Sequence, residues 1–276
     1  MAMQRPHTVI EAGKPERGYL RDVWRLRHLI WMFAWRDMVL RYKQTTAGVL
    51  WVVIRPLLTM AIFALVFGKF LRVNSGDLPY ALLILSGLIP WQFAAYTFSG
   101  ASESLFTHVG VISKVYFPRI IAPISALFVN LVDLAVSLVL MAVFMLFYGI
   151  VPDAKLLLLP VFILALVPGA VGVGLWFAAV SARYRDFRNV VPFVVMLSLY
   201  ASPVGFPTSI IPDAWKFWYW LNPLVGAIEG FRWCLFRGKA ELDWSPMLWS
   251  FAISIALLIV GTAYFRRVER TIVDVL

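Results

Sequence analysis

The sequence is dominated by apolar blocks of about 20 residues that alternate with short basic segments. An α-helix needs about 20 apolar residues to cross the roughly 30 Å hydrocarbon layer of a bilayer. Only 14% of the residues are charged, whereas soluble domains carry about a quarter, and the mean hydropathy is +0.80. Because a water-soluble core has no use for several such blocks, the sequence predicts an all-α integral membrane protein.

Six of these blocks are predicted to be membrane spans. The third is long for a bilayer and is expected to tilt or project beyond it. The fifth is short because Pro203 and Pro207 end it. The predicted spans cover residues 49–70, 78–98, 120–148, 156–180, 190–205 and 247–265.

The basic residues are divided unequally between the two sides of these spans. One side holds 18 of the 25 Lys and Arg residues, in the N-terminal segment, the loops 99–119 and 181–189, the tail 266–276, and Arg55. Cytoplasmic loops carry such an excess, so both termini are predicted to lie in the cytoplasm, which agrees with an even number of spans. Residues 1–28 contain no apolar leader, so the first span is expected to direct insertion.

Within the N-terminal segment 1–48, residues 19–43 contain an apolar run that is too short to cross a membrane and is flanked by arginines. The side chains of Trp24, Trp31 and Trp35 suit the level of the lipid headgroups. We predict an amphipathic helix that lies at the cytoplasmic membrane surface. An irregular soluble tail is the alternative.

Residues 202–244 are rich in aromatic residues and proline, although the topology places them outside the membrane. Short helices that dip back into the outer leaflet would hide the aromatic rings, provided that the turns between them are buried in protein. The alternative is an aromatic belt at the membrane interface that only anchors the protein.

Two cytoplasmic loops are candidates for contact with another protein. Residues 99–119 interleave polar and apolar side chains, which predicts a short amphipathic helix that docks into a partner's groove or lies on lipid. The loop 182–189 is compact and dense in charge, and its alternative role is that of a simple positive-inside anchor.

Other functional classes lack their characteristic residues. No Gly-Lys pair is followed by Ser or Thr, so the chain has no phosphate-binding loop for ATP. The three histidines are scattered, and the single Cys234 cannot form an intramolecular disulfide. Gly169, Gly172 and Gly174 lie inside a predicted span and indicate close helix packing rather than dinucleotide binding. The basic residues responsible for the net charge of +10 lie between the predicted spans, where they set the topology. This charge therefore does not indicate nucleic-acid binding.

Asp133 is the one acidic residue predicted to lie well inside a span. A charged Asp at the bilayer centre costs about 2.5–3.5 kcal/mol on insertion scales, so it should face protein or water. With only Asn130 nearby, we favour a hydrogen bond between helices, or a place near the aqueous end of the span, over a proton or ion coupling site.

Four stretches, in order along the chain, resemble the membrane-spanning permease subunit of polysaccharide-exporting ABC type-2 transporters. The likeness is strongest to the O-antigen (Wzm-like) group, and permeases for capsule and teichoic acid are relatives. The stretches are Arg36-Asp37 with Arg41-Tyr42-Lys43, Gly48–Trp51 and Pro56-Leu57; Gly87–Trp91; Lys114–Arg119; and Arg183–Asp186 with Asn222–Leu224 and Glu229–Arg232.

This resemblance implies a role for each segment. Residues 19–43 would form an interface helix, 99–115 would contain a coupling helix seated on a nucleotide-binding subunit, and 202–244 would form re-entrant gate helices on the periplasmic side. Two permeases would form a channel in the bacterial inner membrane for a lipid-linked polysaccharide, most plausibly O-antigen. Two separate ABC ATPase subunits would bind ATP and Mg, so this chain would need no cofactor and would not itself be an enzyme.

The resemblance also implies site residues. The turn before the first span would use Arg41, Tyr42, Lys43 and Gly48, and contact with the ATPase would use Glu103, Leu105, Phe106, His108 and Lys114. The charged cytoplasmic loop would use Arg183, Arg185 and Asp186. The gate and substrate lining would comprise Trp215, Phe217, Trp218, Tyr219, Trp220, Asn222, Glu229 and Arg232. Aromatic rings with polar edges would hold the apolar faces of sugars without fixing them.

Other classes of function stay open as alternatives. A secondary transporter driven by an ion gradient would favour several intramembrane acids or an inverted repeat. A membrane-embedded glycosyl- or acyltransferase would need acids or histidines grouped at the interface. Within the ABC class, the cargo could instead be capsule, teichoic acid, lipid or drug.

Overall fold

The computed structural model describes residues 19–43, 48–71, 78–236 and 244–269, and every regular element in these ranges is helical. The predictions for residues 1–18, 44–47, 72–77, 237–243 and 270–276 lie outside the described residues. The α-helices are α1 (Tyr19–Arg25), α2 (Arg27–Lys43), α3 (Leu50–Phe63), α4 (Tyr80–Thr107), α5 (Val109–Ile112), α6 (Ile121–Phe147), α7 (Leu159–Arg183), α8 (Phe187–Ala201), α9 (Asp213–Trp220), α10 (Val225–Leu235) and α11 (Trp244–Glu269). A π-helix (Ala64–Phe70) continues α3, and 3₁₀ turns lie at Ala154–Leu158 and Thr208–Ile210.

Five of the described helices are long and apolar enough to cross a membrane, and the predicted all-helical membrane fold is confirmed. They are Leu50–Phe70, Tyr80–Thr107, Ile121–Phe147, Ala154–Arg183 and Trp244–Glu269. The predicted fifth span is represented by α8, which has 15 residues and therefore extends only about 22 Å. Because the hydrocarbon layer measures about 30 Å, α8 alone is too short to cross it, and the number of six spans stays a prediction.

The helix at the centre of the fold is α4. In the most apolar stretch of 18 residues of α4, 89% of the residues are buried. In the corresponding stretch of the span Leu50–Phe70 the buried share is 6%. It packs against α6, α7 and α10, and its middle carries fully buried side chains such as Leu85 and Leu88. The first span is therefore peripheral, and its apolar surface is left for lipid or for another protein chain.

Small residues bring α7 and α11 into close contact. A Cβ atom added to Gly261 would lie 2.0 Å from the carbonyl oxygen of Gly172, and one added to Gly174 would lie 2.6 Å from the Cβ of Ala101 on α4. Helices in a membrane associate through such close van der Waals packing, since lipid provides little hydrophobic driving force between them. The packing role predicted for Gly169, Gly172 and Gly174 is confirmed.

The predicted N-terminal helix is present over residues 19–43, but it is broken at Leu26 into α1 and α2. Phe33 and Ala34 are buried, whereas Trp31 and Trp35 are exposed on the other face. The helix α2 packs along the first half of α6. This segment is therefore a docked helix rather than an irregular tail.

Candidate functional site

Asp133 joins the end of α2 to the middle of α6. Its Oδ2 accepts a hydrogen bond from Nη1 of Arg41 at 2.6 Å, and its Oδ1 accepts one from the hydroxyl of Tyr42. The same Arg41 nitrogen also donates to Oδ1 of Asn130 at 3.1 Å. The predicted hydrogen bond between helices is thus present, with a cation as the partner that an acid in a span requires.

Two of the four residues predicted for the turn before the first span, Arg41 and Tyr42, therefore meet at Asp133. Lys43 ends α2. Gly48 has a φ of +48°, a left-handed conformation that glycine adopts without a steric cost. The first span begins two residues after this glycine, at Leu50.

A second polar contact joins the middle of α2 to the end of α4. Nε2 of His108 lies 3.2 Å from Oδ2 of Asp37, at ion-pair distance but without the alignment of a hydrogen bond. Nδ1 of His108 donates to the carbonyl of Ser104 at 2.7 Å, and the ring packs on Phe33. Burial raises the pKa of Asp37, but His108 and Arg36 outweigh burial and hold the pKa below its ordinary 3.8. The carboxylate is therefore ionised at neutral pH.

The segment predicted to contain a coupling helix, residues 99–115, holds the end of α4 and the short helix α5, and its coupling role stays a prediction. The helix α4 continues through it to Thr107, and only the single turn α5 follows. Of the predicted coupling residues, Glu103 and Lys114 are exposed and Phe106 is half-buried, but Leu105 and His108 are buried within this chain. Leu105 and His108 therefore hold the end of α4 in place and are not on a surface that another subunit can reach.

The charged loop before α8 lies beside the end of α4. Arg183, Arg185 and Asp186 are exposed. The guanidinium of Arg188, in the first turn of α8, lies 4.5 Å from the ring centroid of Phe106. The start of α8 is thus attached to the end of α4 by a cation–π contact.

The region predicted as a gate contains a helical hairpin, which we call the aromatic hairpin: α9, residues 221–224 and α10. Trp215, Phe217 and Trp218 are exposed, whereas Tyr219 and Trp220 are half-buried. An open cavity of about 280 Å³ is lined by Phe206, Ile211, Trp215, Trp218 and Tyr219. The hairpin therefore presents a concave aromatic surface outside the helical core.

Asn222 ties the aromatic hairpin to the end of α8. Its Nδ2 donates to the carbonyl of Ala201 at 3.0 Å and to Oγ of Ser202 at 3.2 Å. Its Oδ1 accepts from the backbone N–H of Leu224 at 2.9 Å. This side chain, predicted to line the substrate path, instead fixes the link between the hairpin helices.

Arg232, also predicted to line the path, lies in the protein interior. Its side chain is 4% exposed and faces backbone carbonyls of α4 and of the segment after α8. Glu229, one helical turn earlier, lies 3.4 Å from its Nη1 and is itself mostly buried. The buried position of Arg232 corrects its assignment to an exposed lining.

Sequence reasoning had not singled out the pairing of Asp37 with His108, the contact of Arg188 with Phe106, or Tyr80, whose hydroxyl donates to the carbonyl of Gly205. Part of this could be predicted from the sequence, because an acid next to the buried face of a helix needs a nearby cation or hydrogen-bond donor. Which residue supplies it depends on packing between distant segments.

Comparisons with known proteins agree with this architecture. The family profile described as "ABC-2 type transporter" matches residues 28–236. The O-antigen export system permease protein RfbA of Myxococcus xanthus is 27% identical over 248 residues, covering 89% of this chain and 94% of that protein. RfbA of Klebsiella pneumoniae is 27% identical over 263 residues, covering 94% and 96%. The polysialic acid transport protein KpsM of Escherichia coli is 24% identical over 247 residues, covering 85% and 91%. The resemblance inferred from the sequence motifs is confirmed.

Proposed function

The chain belongs to the ABC-2 type transporter family, and we propose that it is the permease subunit of an exporter of lipid-linked polysaccharide. The observation that carries this proposal is similarity along nearly the whole chain to permeases named for O-antigen export. O-antigen is accordingly the proposed cargo. A capsule-like polymer is the second candidate, because KpsM is named for the transport of polysialic acid.

The energy is proposed to come from a separate subunit. The sequence lacks a phosphate-binding loop, so ATP and Mg²⁺ would be bound by two copies of a partner ATPase. The proposed docking surface is the end of α4 with α5 and the loop before α8. It carries the exposed side chains of Glu103, Lys114, Arg183, Arg185 and Asp186. With both termini cytoplasmic, as the charge distribution predicts, this surface faces the ATPase.

The exposed face of α8 supports a channel between two copies of the chain. Within α8 only Val191 is buried, whereas Phe193, Met196 and Tyr200 are exposed. Because α8 is too short to cross the membrane, the irregular backbone after Ala201 lies at membrane depth. Such backbone is tolerated only where it is buried in protein or lines a water-filled cavity. The backbone of residues 202–205 is buried within this chain. The exposed face of α8, in contrast, has no covering element among the described residues, and we assign that face to a second copy and the lumen.

The proposed mechanism couples the two ends of the chain through α8. Closure of the ATPase subunits would displace the end of α4, to which Arg188 attaches the start of α8 through Phe106. The other end of α8 is bound to the aromatic hairpin by Asn222. The hairpin rings would contact the apolar faces of successive sugars weakly, so that the chain can slide.

Cells that lack the chain provide the test of this function. The expected result is loss of surface polysaccharide and accumulation of its lipid-linked form inside, both restored by re-expression. Export should also persist when an uncoupler collapses the proton gradient while ATP is maintained. Export that stops with the gradient at constant ATP would instead identify a secondary transporter.

A test of the aromatic hairpin is alanine substitution of each residue in the run Phe217–Trp220, with polysaccharide export as the readout. We expect reduced export in at least the variants of the cavity-lining rings. Unchanged export in every variant would contradict a gate at the hairpin.

A further inference from the structure

The segment that connects α8 to the aromatic hairpin is a buried turn with few hydrogen-bond donors of its own. We call residues 202–207 the proline turn, because Pro203 and Pro207 provide no backbone N–H. Ser202 and Val204 are completely buried. Buried carbonyl groups without donors cost free energy, so this turn needs donors from elsewhere in the chain.

Arg232 provides most of these donors. Its Nη2 donates to the carbonyls of Pro203 at 2.5 Å and Val204 at 3.2 Å, and its Nη1 donates to that of Phe206 at 3.3 Å. On the other side, Nη2 donates to the carbonyl of Leu83 on α4 at 3.2 Å. The planar guanidinium, with five N–H groups, thus connects three carbonyls of the proline turn to the central helix.

The proline turn is also held sterically. A Cβ added to Gly87 of α4 would lie 2.8 Å from the Cα of Val204, and one added to Gly205 would lie 2.7 Å from the ring of Phe63 in the first span. The hydroxyl of Tyr80 donates to the carbonyl of Gly205. The turn is therefore wedged between the central helix and the first span, and within the described residues Arg232 and Tyr80 are the side chains that donate to its carbonyls.

We propose that Arg232 is the positioning residue that keeps the transport path closed at the aromatic hairpin, by binding the carbonyls of the proline turn. When these hydrogen bonds are released, the turn leaves its place between α4 and the first span and carries the end of α8 with it. The closed-path part of this inference rests on the proposed transport function. The immobilisation of the turn by Arg232 does not.

The first experiment measures release of the turn directly. Val204→Cys is introduced together with Cys234→Ser in the full chain, and the rate of labelling of the new thiol by a membrane-impermeant maleimide is measured. Arg232→Lys keeps the charge but replaces the five-donor fork with three donors on one atom. We expect labelling to rise at least about tenfold, because several hydrogen bonds to a charged group are lost.

Two further variants keep this test decisive. Tyr80→Phe removes one hydroxyl and should raise labelling about fivefold, which provides the answer if Arg232→Lys does not fold. Gly110→Ala adds a methyl group that meets nothing within 4 Å, so its labelling should stay within about twofold of the parent. Equal labelling in the parent, Arg232→Lys and Tyr80→Phe proteins would overturn the proposal.

A second experiment tests closure of the path. Proteoliposomes that contain the chain are loaded with carboxyfluorescein, and leakage is measured without ATP. Arg232→Lys should leak at least about tenfold faster than the wild-type protein if the closed state loses its main hydrogen bonds. A tight Arg232→Lys protein, in a preparation whose wild-type complex exports polysaccharide, overturns the closing role alone. A wild-type complex that exports no polysaccharide overturns the proposed function, whatever the labelling shows.

Discussion

Replacing Gly261 with alanine should destabilise the helical core, because no space exists for a methyl group at this position. The new Cβ would lie 2.0 Å from the carbonyl oxygen of Gly172 and 2.7 Å from its carbonyl carbon. In protein structures a Cβ atom essentially never lies within 3.0 Å of a non-bonded heavy atom from another part of the chain. The two helices would therefore have to separate by about 1 Å at their crossing.

The expected cost lies at the upper end of that measured for overpacked cores, about 3 kcal/mol, because the obstacle is backbone and cannot rotate away. The contact between α7 and α11 is also the most extensive between any two described helices. For a chain of this size the corresponding fall in Tm is about 6–12 °C.

The assay is thermal unfolding of the purified chain in detergent, followed by the loss of monodisperse protein or by tryptophan fluorescence. Gly110→Ala is the matched control, since an added Cβ at Gly110 meets nothing within 4 Å. This control should change stability by less than about 1 kcal/mol. If the Tm of Gly261→Ala equals that of Gly110→Ala, the packing argument for this helix pair is wrong.

Three further variants test the polar contacts. Asp133→Asn removes a charged contact with Arg41, and because Arg41 is partly exposed we expect the free energy of unfolding to fall by only about 1 kcal/mol. ATP-driven export should continue in this variant. Export that is abolished although the variant folds would indicate a proton relay. The depressed pKa of Asp37 stabilises the attachment of α2 above about pH 4, and this stabilisation is lost as the pH falls through the folded-state pKa. Hydrogen exchange in α2 should therefore differ between wild type and Asp37→Asn at pH 7, and the difference should shrink as the pH is lowered below about 4. A difference that is the same at every pH would contradict the role of this carboxylate. Arg188→Gln should lower the free energy of unfolding by about 0.5–1 kcal/mol, because the contact with Phe106 is lost. It should also lower the amount of polysaccharide exported per ATP hydrolysed. An unchanged ratio of export to hydrolysis would contradict the coupling through α8.

The positions of the long helices follow from hydropathy, because the transfer of about 20 apolar residues into lipid outweighs local preferences. This reasoning fails at the two places where a helix end depends on its neighbours. The helix α4 continues nine residues past the predicted end of the second span, to Thr107, because Leu105 and His108 find buried partners. The helix α8 ends at Ala201 because the proline turn begins there.

The same distinction applies to the candidate site residues: some follow from the sequence, and others depend on packing between distant segments. Asp133 was recognisable as an acid in need of a partner, and Arg41 is that partner. Arg232 could be placed beyond the fifth predicted span, but its hydrogen bonds to Ser86 and Leu83 join residues more than 140 positions apart. Contacts of that kind arise only when the central helix and the aromatic hairpin pack together. For this reason residues assigned to an exposed lining, such as Asn222, instead hold the hairpin in place.

The most direct test of the central claim is ATP-dependent transport by the reconstituted complex. The chain and its partner ATPase are incorporated together into proteoliposomes, and delivery of a labelled lipid-linked polysaccharide across the membrane is measured with and without ATP. The account predicts transport only when both subunits and hydrolysable ATP are present. Transport by the chain alone without ATP would contradict it, and so would a complex that hydrolyses ATP but moves no polysaccharide.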